Sequence, residues 1–178
     1  MAIAINGSGS ITPSGSSVVS YPGAVLQMQA ARSGPAGQTI SSTSPTLITG
    51  LSISFTPKKV GSLLVFNALI SSSHTHVTSF GIFKDGASTV STSGYTNDNE
   101  ANMQATSYFP PLSSDTRTDV IRQTSLMHYE TVDSLTARTY GVYATAGWAG
   151  TTYSLYINNR SNGDMANFSY LTIMEIAQ

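Results

Sequence analysis

Two histidines stand one residue apart in His74-Thr75-His76, and a second polar pair, His128 and Glu130, repeats that spacing. In an extended chain, side chains alternate between faces, so residues i and i+2 point the same way. Two imidazoles on one face can begin a divalent-metal site, and a histidine beside a carboxylate can pass a proton. A metal site needs a third or fourth ligand, and none stands at a recognisable spacing from either pair. Both pairs therefore read as polar residues on the solvent edge of a strand, and the expectation is no metal, no cofactor and no catalytic residue.

The other signatures of reaction chemistry are as sparse. The chain is rich in serine, yet it holds no Gly-x-Ser-x-Gly elbow. Gly7-Ser8-Gly9 is neither a Walker loop nor a dinucleotide fingerprint, and no helical pattern follows it. The carboxylates are scattered, so none pair for glycoside hydrolysis. Asp98, Glu100, Asp115 and Asp119, with Asn97, Asn99 and Asn102 nearby, offer loop oxygens to Ca²⁺. Their spacing matches no EF-hand, and they read as solvated loop residues. Tyr140, Tyr143, Trp148, Tyr153 and Tyr156 crowd the last third of the chain. Aromatic rings stack on sugars or fill cores and subunit interfaces; the core or interface reading is preferred. Trp148, with Tyr95 and Tyr108, remains the candidate glycan contact. The sequons at Asn6, Asn159 and Asn167 matter only for a chain secreted by a eukaryote.

The elements that must position these residues are strands. "TLITGLSISFTP" puts Leu51, Ile53 and Phe55 on one face and Ser52, Ser54 and Thr56 on the other, the pattern of a half-buried strand. "VGSLLVFNALISSS" is apolar on both faces in its middle, which predicts a strand buried between two layers. Phe80 and Ile82 share a face ahead of a hairpin turn at Asp85-Gly86. Strands are expected near 24–31, 47–56, 60–71, 77–84, 138–146, 151–158 and 169–177, with "RTYGVYATAGW" and "TTYSLYINN" paired as a β-hairpin with a loop at Ala149-Gly150. A further strand is expected near Gln104 to Phe109 among long loops at 91–119. "RQTSLMHYETV" fits a strand or a helix. Short strands at this spacing predict an antiparallel sandwich or barrel.

Composition narrows the functions. The chain has 178 residues, a net charge of -1 and only 10% charged residues, against a usual ~25%. No basic field exists to attract nucleic acid or an anionic membrane. With no cysteine, there are no disulfides or thiol ligands. The first basic residue is Arg32, and Ala2-Ile3-Ala4-Ile5 breaks at Asn6-Gly7, so the start does not read as an export signal.

Residues 1–23 read as an extended arm ahead of a β-domain at 24–178. Pro13, Gly15, Pro22 and Gly23 keep it out of helix. Its tip, Ala2 to Asn6, retains the alternation of one short strand able to add to the edge of another sheet. The arm's Ser/Gly/Pro content buries too little apolar area to fold alone. Contacts outside the domain must then order it.

Three stretches carry a likeness: the opening "MAIAINGSGSIT"; "AVLQMQAARSG" followed by "TLITGLSISFTPKKVGSLLVFNALIS"; and "DSLTARTYGVYATAGWAGTTYSLYINNRS" with "SYLTIMEIA". Together they resemble small virion proteins of tailed bacteriophages, especially those of cyanobacterial and marine hosts. The resemblance covers most of residues 1–12 and 24–178 except the loops near 91–119. It implies an all-β, jelly-roll-like antiparallel β-sandwich with an extended N-terminal arm, built into a homotrimer on the virion surface after assembly in the host cytoplasm. The partners it implies are other copies of the chain and the major capsid protein or another virion structural protein. Ala2, Ile3, Ala4, Ile5 and Asn6 would form the attachment. There is no long shaft or collagen-like segment, which favours a capsid decoration (cement) or head-fibre protein. The alternative is a short tail-fibre protein that binds a host cell-surface glycan.

Overall fold

β-Branched and aromatic residues alternate with serine and threonine along the chain, and every regular element among the described residues is a strand. A computed structural model describes residues 3–5, 11–13, 21–74, 78–86, 88–89, 105–107, 120–148, 151–160, 163 and 166–178. The strands are β1 (Ile3–Ile5), β2 (Ile11–Pro13), β3 (Val25–Ser33), β4 (Gln38–Ile40), β5 (Thr46–Phe55), β6 (Leu63–His74), β7 (Thr78–Lys84), β8 (Ser88–Thr89), β9 (Ala105–Ser107), β10 (Arg122–Thr131), β11 (Arg138–Trp148), β12 (Thr151–Thr152), β13 (Leu155–Ile157) and β14 (Ser169–Ile176).

Two six-stranded antiparallel sheets form an all-β sandwich that curls into a half-barrel. In the first, β14 lies between β3 and β6, and β10 runs along the other side of β6. Beyond Leu69, β13 replaces β14 as the neighbour of β6 and carries β4 outside it. In the second sheet, β11 lies between β5 and β7, and β7 pairs at its two ends with β8 and β9. The inner faces enclose Phe66, Ile70, Leu171 and Ile173 from the first sheet and Leu51, Phe55, Phe80, Ile82 and Val142 from the second. The rings of Phe66 and Tyr140 meet across the layers at 4.9 Å. Fully burying each such side chain stabilises the fold by about 1.5–3 kcal/mol.

Specific contacts join the sheets at both margins. On one side β3 and β5 approach closely: a Cβ on Gly50 would lie 3.1 Å from the Arg32 carbonyl oxygen. The Gln27 amide donates to the Thr56 carbonyl at 2.7 Å. The Gln38 side chain donates to the Leu47 carbonyl at 3.0 Å and accepts from the Thr49 N–H at 2.8 Å, so an amide side chain serves β5 as a backbone neighbour would. On the other side Lys84 of β7 pairs with Glu130 of β10.

The alternation of 51–56 is found as expected, with Leu51, Ile53 and Phe55 buried and Ser52, Ser54 and Thr56 exposed. The Asp85-Gly86 turn has both residues at positive φ. The ambiguous segment at 122–131 is a strand, because its inward side chains complete the core beside β6. Three expectations need correction. Residues 151–158 are not one strand of a hairpin with β11. Only Thr151 and Thr152 pair with β11, after which the chain crosses so that Leu155–Ile157 joins the first sheet. The middle of β6 is not enclosed by two layers: Leu64, Phe66, Ala68 and Ile70 are buried, but Leu63, Val65 and Leu69 are half-exposed and Asn67 is exposed. The attachment tip is not a lone strand. Ile3, Ala4 and Ile5 pair with Pro13, Thr12 and Ile11 in a small separate sheet. The body begins at the turn Tyr21–Ala24, where the Gly23 N–H reaches the Ala177 carbonyl at 2.8 Å.

Candidate functional site

His74, His128 and Glu130 do not point into solvent. His74 is buried at the end of β6, where Leu155 of β13 is its ladder partner. His76 lies outside the described residues. His128 and Glu130 face inward along β10, both half-buried. The His128 imidazole stacks on Phe66 at 6.1 Å and on Tyr129 at 5.8 Å. Glu130 pairs with Lys84 and accepts from the Tyr140 hydroxyl at 3.4 Å. Burial and the Glu130 carboxylate both push the Tyr140 phenol well above its ordinary range, so the ring keeps its proton and acts as a donor. A phenol so held is a poor base and a poor nucleophile. Among the described residues no three His, Cys, Asp or Glu side chains gather as a metal would need. The Ca²⁺ candidates Asp98, Glu100, Asp115 and Asp119, with Asn97, Asn99 and Asn102, lie outside the described residues.

Two buried polar centres were not singled out in the sequence. Glu175, on the inner face of β14, accepts from the Lys58 and Lys59 N–H groups, the Ser62 hydroxyl and the Gln27 amide at 2.6–3.0 Å. Desolvation raises its pKa, but Ser62, Gln27 and the two backbone donors outweigh it and hold the carboxyl below its ordinary value. Asn158, after β13, is fully buried at φ 59°. Its amide donates to Ser33 Oγ and the Gly34 carbonyl at 3.0 and 3.1 Å, and it accepts from Ser169 Oγ at 2.6 Å. Ser169 Oγ also accepts the Ser71 N–H at 2.9 Å. These centres knit strand ends and turns together. The only hint in the sequence is a carboxylate in an apolar strand and an asparagine after one, too common to decide.

No family model matches the chain, and no curated protein sequence matches it.

Of the glycan candidates, Tyr95 and Tyr108 lie outside the described residues, and Trp148 ends β11 opposite Thr151. Tyr140 belongs to the core and Tyr143 packs on Phe83 at 4.6 Å, the role expected for most of these aromatics. Tyr156 instead borders an open cleft of about 280 Å³ with Gln38, Thr39, Asn159 and Arg160. Of the attachment residues, Ala2 and Asn6 lie outside the described residues, while Ile3, Ala4 and Ile5 form β1.

A further feature is a sheet face. On the outside of the first sheet, the register aligns Tyr129, Val65, Met174 and Met28 in one row across β10, β6, β14 and β3. The next row toward the Val25 end is Thr131, Leu63, Ile176 and Val25. On the other side lie Met127, Asn67, Thr172 and Ala30, then Ser125, Leu69, Tyr170 and Arg32. Met127 is 79% exposed, Tyr129 66% and Met28 63%. Arg32 is the one charged residue in these rows, and its guanidinium lies over the Phe168 ring at 4.7 Å. A sheet with one solvated face normally turns polar side chains outward, as β5 does with Ser52 and Ser54. The first sheet does the opposite.

Proposed function

We propose that the chain is a non-enzymatic structural protein of a bacteriophage particle. It is a trimeric capsid decoration (cement) or head-fibre protein, held on the virion surface by its N-terminal arm. The observation that carries an assembly role is the apolar, nearly uncharged outer face of the β3-β14-β6-β10 sheet, the kind of surface that protein partners cover. The sequence resemblance carries the assignment to a virion. The partners are other copies of the chain and the major capsid protein or another virion structural protein, with no nucleic acid, membrane or cofactor involved.

Attachment falls to the arm. A hairpin as small as β1-β2 is marginal by itself; a sheet edge or groove on the particle stabilises it by augmentation. Three linked arms then bind with avidity, and binding only the assembled shell stabilises that shell by mass action. Deleting residues 2–20 is expected to leave the thermal midpoint of the isolated protein nearly unchanged and to remove it from purified particles. Ile3→Asp with Ile5→Asp should act like the deletion. Normal occupancy of particles by either variant would refute the arm as anchor, and a few copies per virion rather than hundreds would refute a shell-wide cement role.

One observation favours a short tail-fibre protein instead. The cleft at Tyr156 combines an aromatic ring with Gln38, Asn159 and Arg160, groups that suit sugar hydroxyls. That reading expects glycan-array binding that is lost in Tyr156→Ala, and competition of phage adsorption by the purified protein.

A further inference from the structure

We infer that the open cleft beside Tyr156 is selective for acidic sugars and takes one carboxylate-bearing monosaccharide unit. The inference rests on the sugar-cleft reading above and adds the charge class of the ligand; it does not depend on where a particle would carry the chain.

The direction of two amide side chains is the first observation. Gln38 and Asn159 both border the cleft, and the oxygen of each is engaged within the chain. Gln38 Oε1 accepts the Thr49 N–H at 2.8 Å, and Asn159 Oδ1 accepts the Arg160 N–H at 2.8 Å. Their remaining capacity is that of donors. An amide carries two N–H bonds, and Gln38 uses one of them on the Leu47 carbonyl. The Asn159 Nδ2 group lies against Gly37, where an added Cβ would stand 3.1 Å from it. Gly37, at φ 68°, therefore makes the turn into β4 and also leaves room for that nitrogen.

Charge points the same way. Arg160 borders the cleft, and no carboxylate is among the described residues that line it. A guanidinium offers five donors and no acceptor. A neutral sugar can accept through its hydroxyls, but only a carboxylate adds opposite charge, and charge-assisted hydrogen bonds are roughly twice as strong as neutral ones. The other groups suit the rest of a sugar ring. The Thr39 and Tyr156 hydroxyls donate or accept, as sugar hydroxyls require, and an aromatic ring gives the apolar face of a pyranose a surface to stack on. A volume of about 280 Å³ lies at the lower end of small-ligand pockets, which fits one ring better than an extended chain.

Ligand-observed NMR on the whole chain tests this with methyl glucuronide and methyl galacturonide against the neutral methyl glucoside and methyl galactoside. The acidic glycosides are expected to bind about tenfold or more tightly than the neutral ones, and added salt should narrow the gap. Asn159→Asp keeps an oxygen for the Arg160 N–H and puts a carboxylate in the cleft. It should abolish the preference for acid and leave the weaker neutral binding unchanged, which a merely structural defect would not do. Arg160→Gln should have the same effect, with unchanged circular dichroism in both variants. Equal binding of acidic and neutral glycosides, or an Asn159→Asp variant that keeps the preference, overturns the inference while the sugar cleft stands. Sodium acetate that competes as well as methyl glucuronide reveals a simple anion site and overturns the sugar assignment. Binding of neither kind of glycoside overturns both readings.

Discussion

Ser62 Oγ donates to Oε1 of Glu175 across 2.6 Å, tying the turn before β6 to the last strand of the chain. Gln27 and the Lys58 and Lys59 N–H groups complete the shell around that carboxylate, so one side chain joins β3, the β5–β6 turn and β14.

Acid should weaken the fold through this group. The folded-state pKa of Glu175 lies below its ordinary value of 4.5. Its contribution is therefore complete above that value and is lost as pH falls through the folded pKa. Glu175→Gln removes the charged acceptor and should cost about 1.5–3 kcal/mol at pH 7. Urea denaturation should show the gap between the two proteins closing as pH falls below 4.5. A gap that stays constant across that range would contradict the assignment.

Alkali should act through Tyr140, with the opposite sign. Its folded pKa is raised above the ordinary 10.0. The stabilisation is complete below pH 10 and declines as pH rises beyond it, because the unfolded chain releases the proton first. Tyr140→Phe cannot titrate, so its urea midpoint should fall less between pH 8 and 11 than that of the unaltered chain.

Gly50 and Gly61 separate backbone conformation from space. Both have φ above +80°, but a Cβ at Gly50 would meet the backbone of Arg32 and Ser33 at 3.1–3.2 Å, whereas nothing lies within 4 Å at Gly61. Gly61→Ala should cost about 1–2 kcal/mol for the left-handed conformation alone. Gly50→Ala should cost more, because β3 and β5 must also separate. Thermal midpoints measured side by side give the order.

Asn158 should tolerate neither alanine nor glycine, and alanine should cost more. Both variants lose the bonds to Ser33, Gly34 and Ser169 and leave buried groups unpaired, at about 1–3 kcal/mol. Asn158→Ala also keeps a Cβ at φ 59°, adding roughly 1 kcal/mol over Asn158→Gly. Equal midpoints for the two would show that the turn relaxes.

Much of the fold was legible because alternation reports burial directly. In β5 the inward Leu51, Ile53 and Phe55 are separated by serines, and no partner is needed to read that face. In β6 the same reasoning failed. Leu63, Val65 and Leu69 read as a second buried face, yet they are only half-buried, and among the described residues no second layer covers them. Hydrophobicity marks a surface to be covered and does not say whether the same chain covers it. The hairpin about 149–150 is shorter than its strand pattern suggests for a related reason: Trp148 and Thr151 pair, but pattern gives no sign of where a chain crosses between sheets, and Leu155 and Ile157 fit either one.

The candidate chemistry divides along the same line. Residue types by themselves determined a β-rich, weakly charged chain without thiol chemistry and turns at Pro22-Gly23 and Asp85-Gly86. These follow from composition and from conformational limits that act within a few residues. Only the tertiary structure decided that His128 stacks on Phe66, that Glu130 meets Lys84 and Tyr140, and that Glu175 gathers donors from two distant segments, β3 and the β5–β6 turn. It alone aligned Tyr129, Val65, Met174 and Met28 in one apolar row. The reason is physical: strand register and sheet order are set by long-range pairing, in which residues more than a hundred positions apart become neighbours through the combined packing of the whole core.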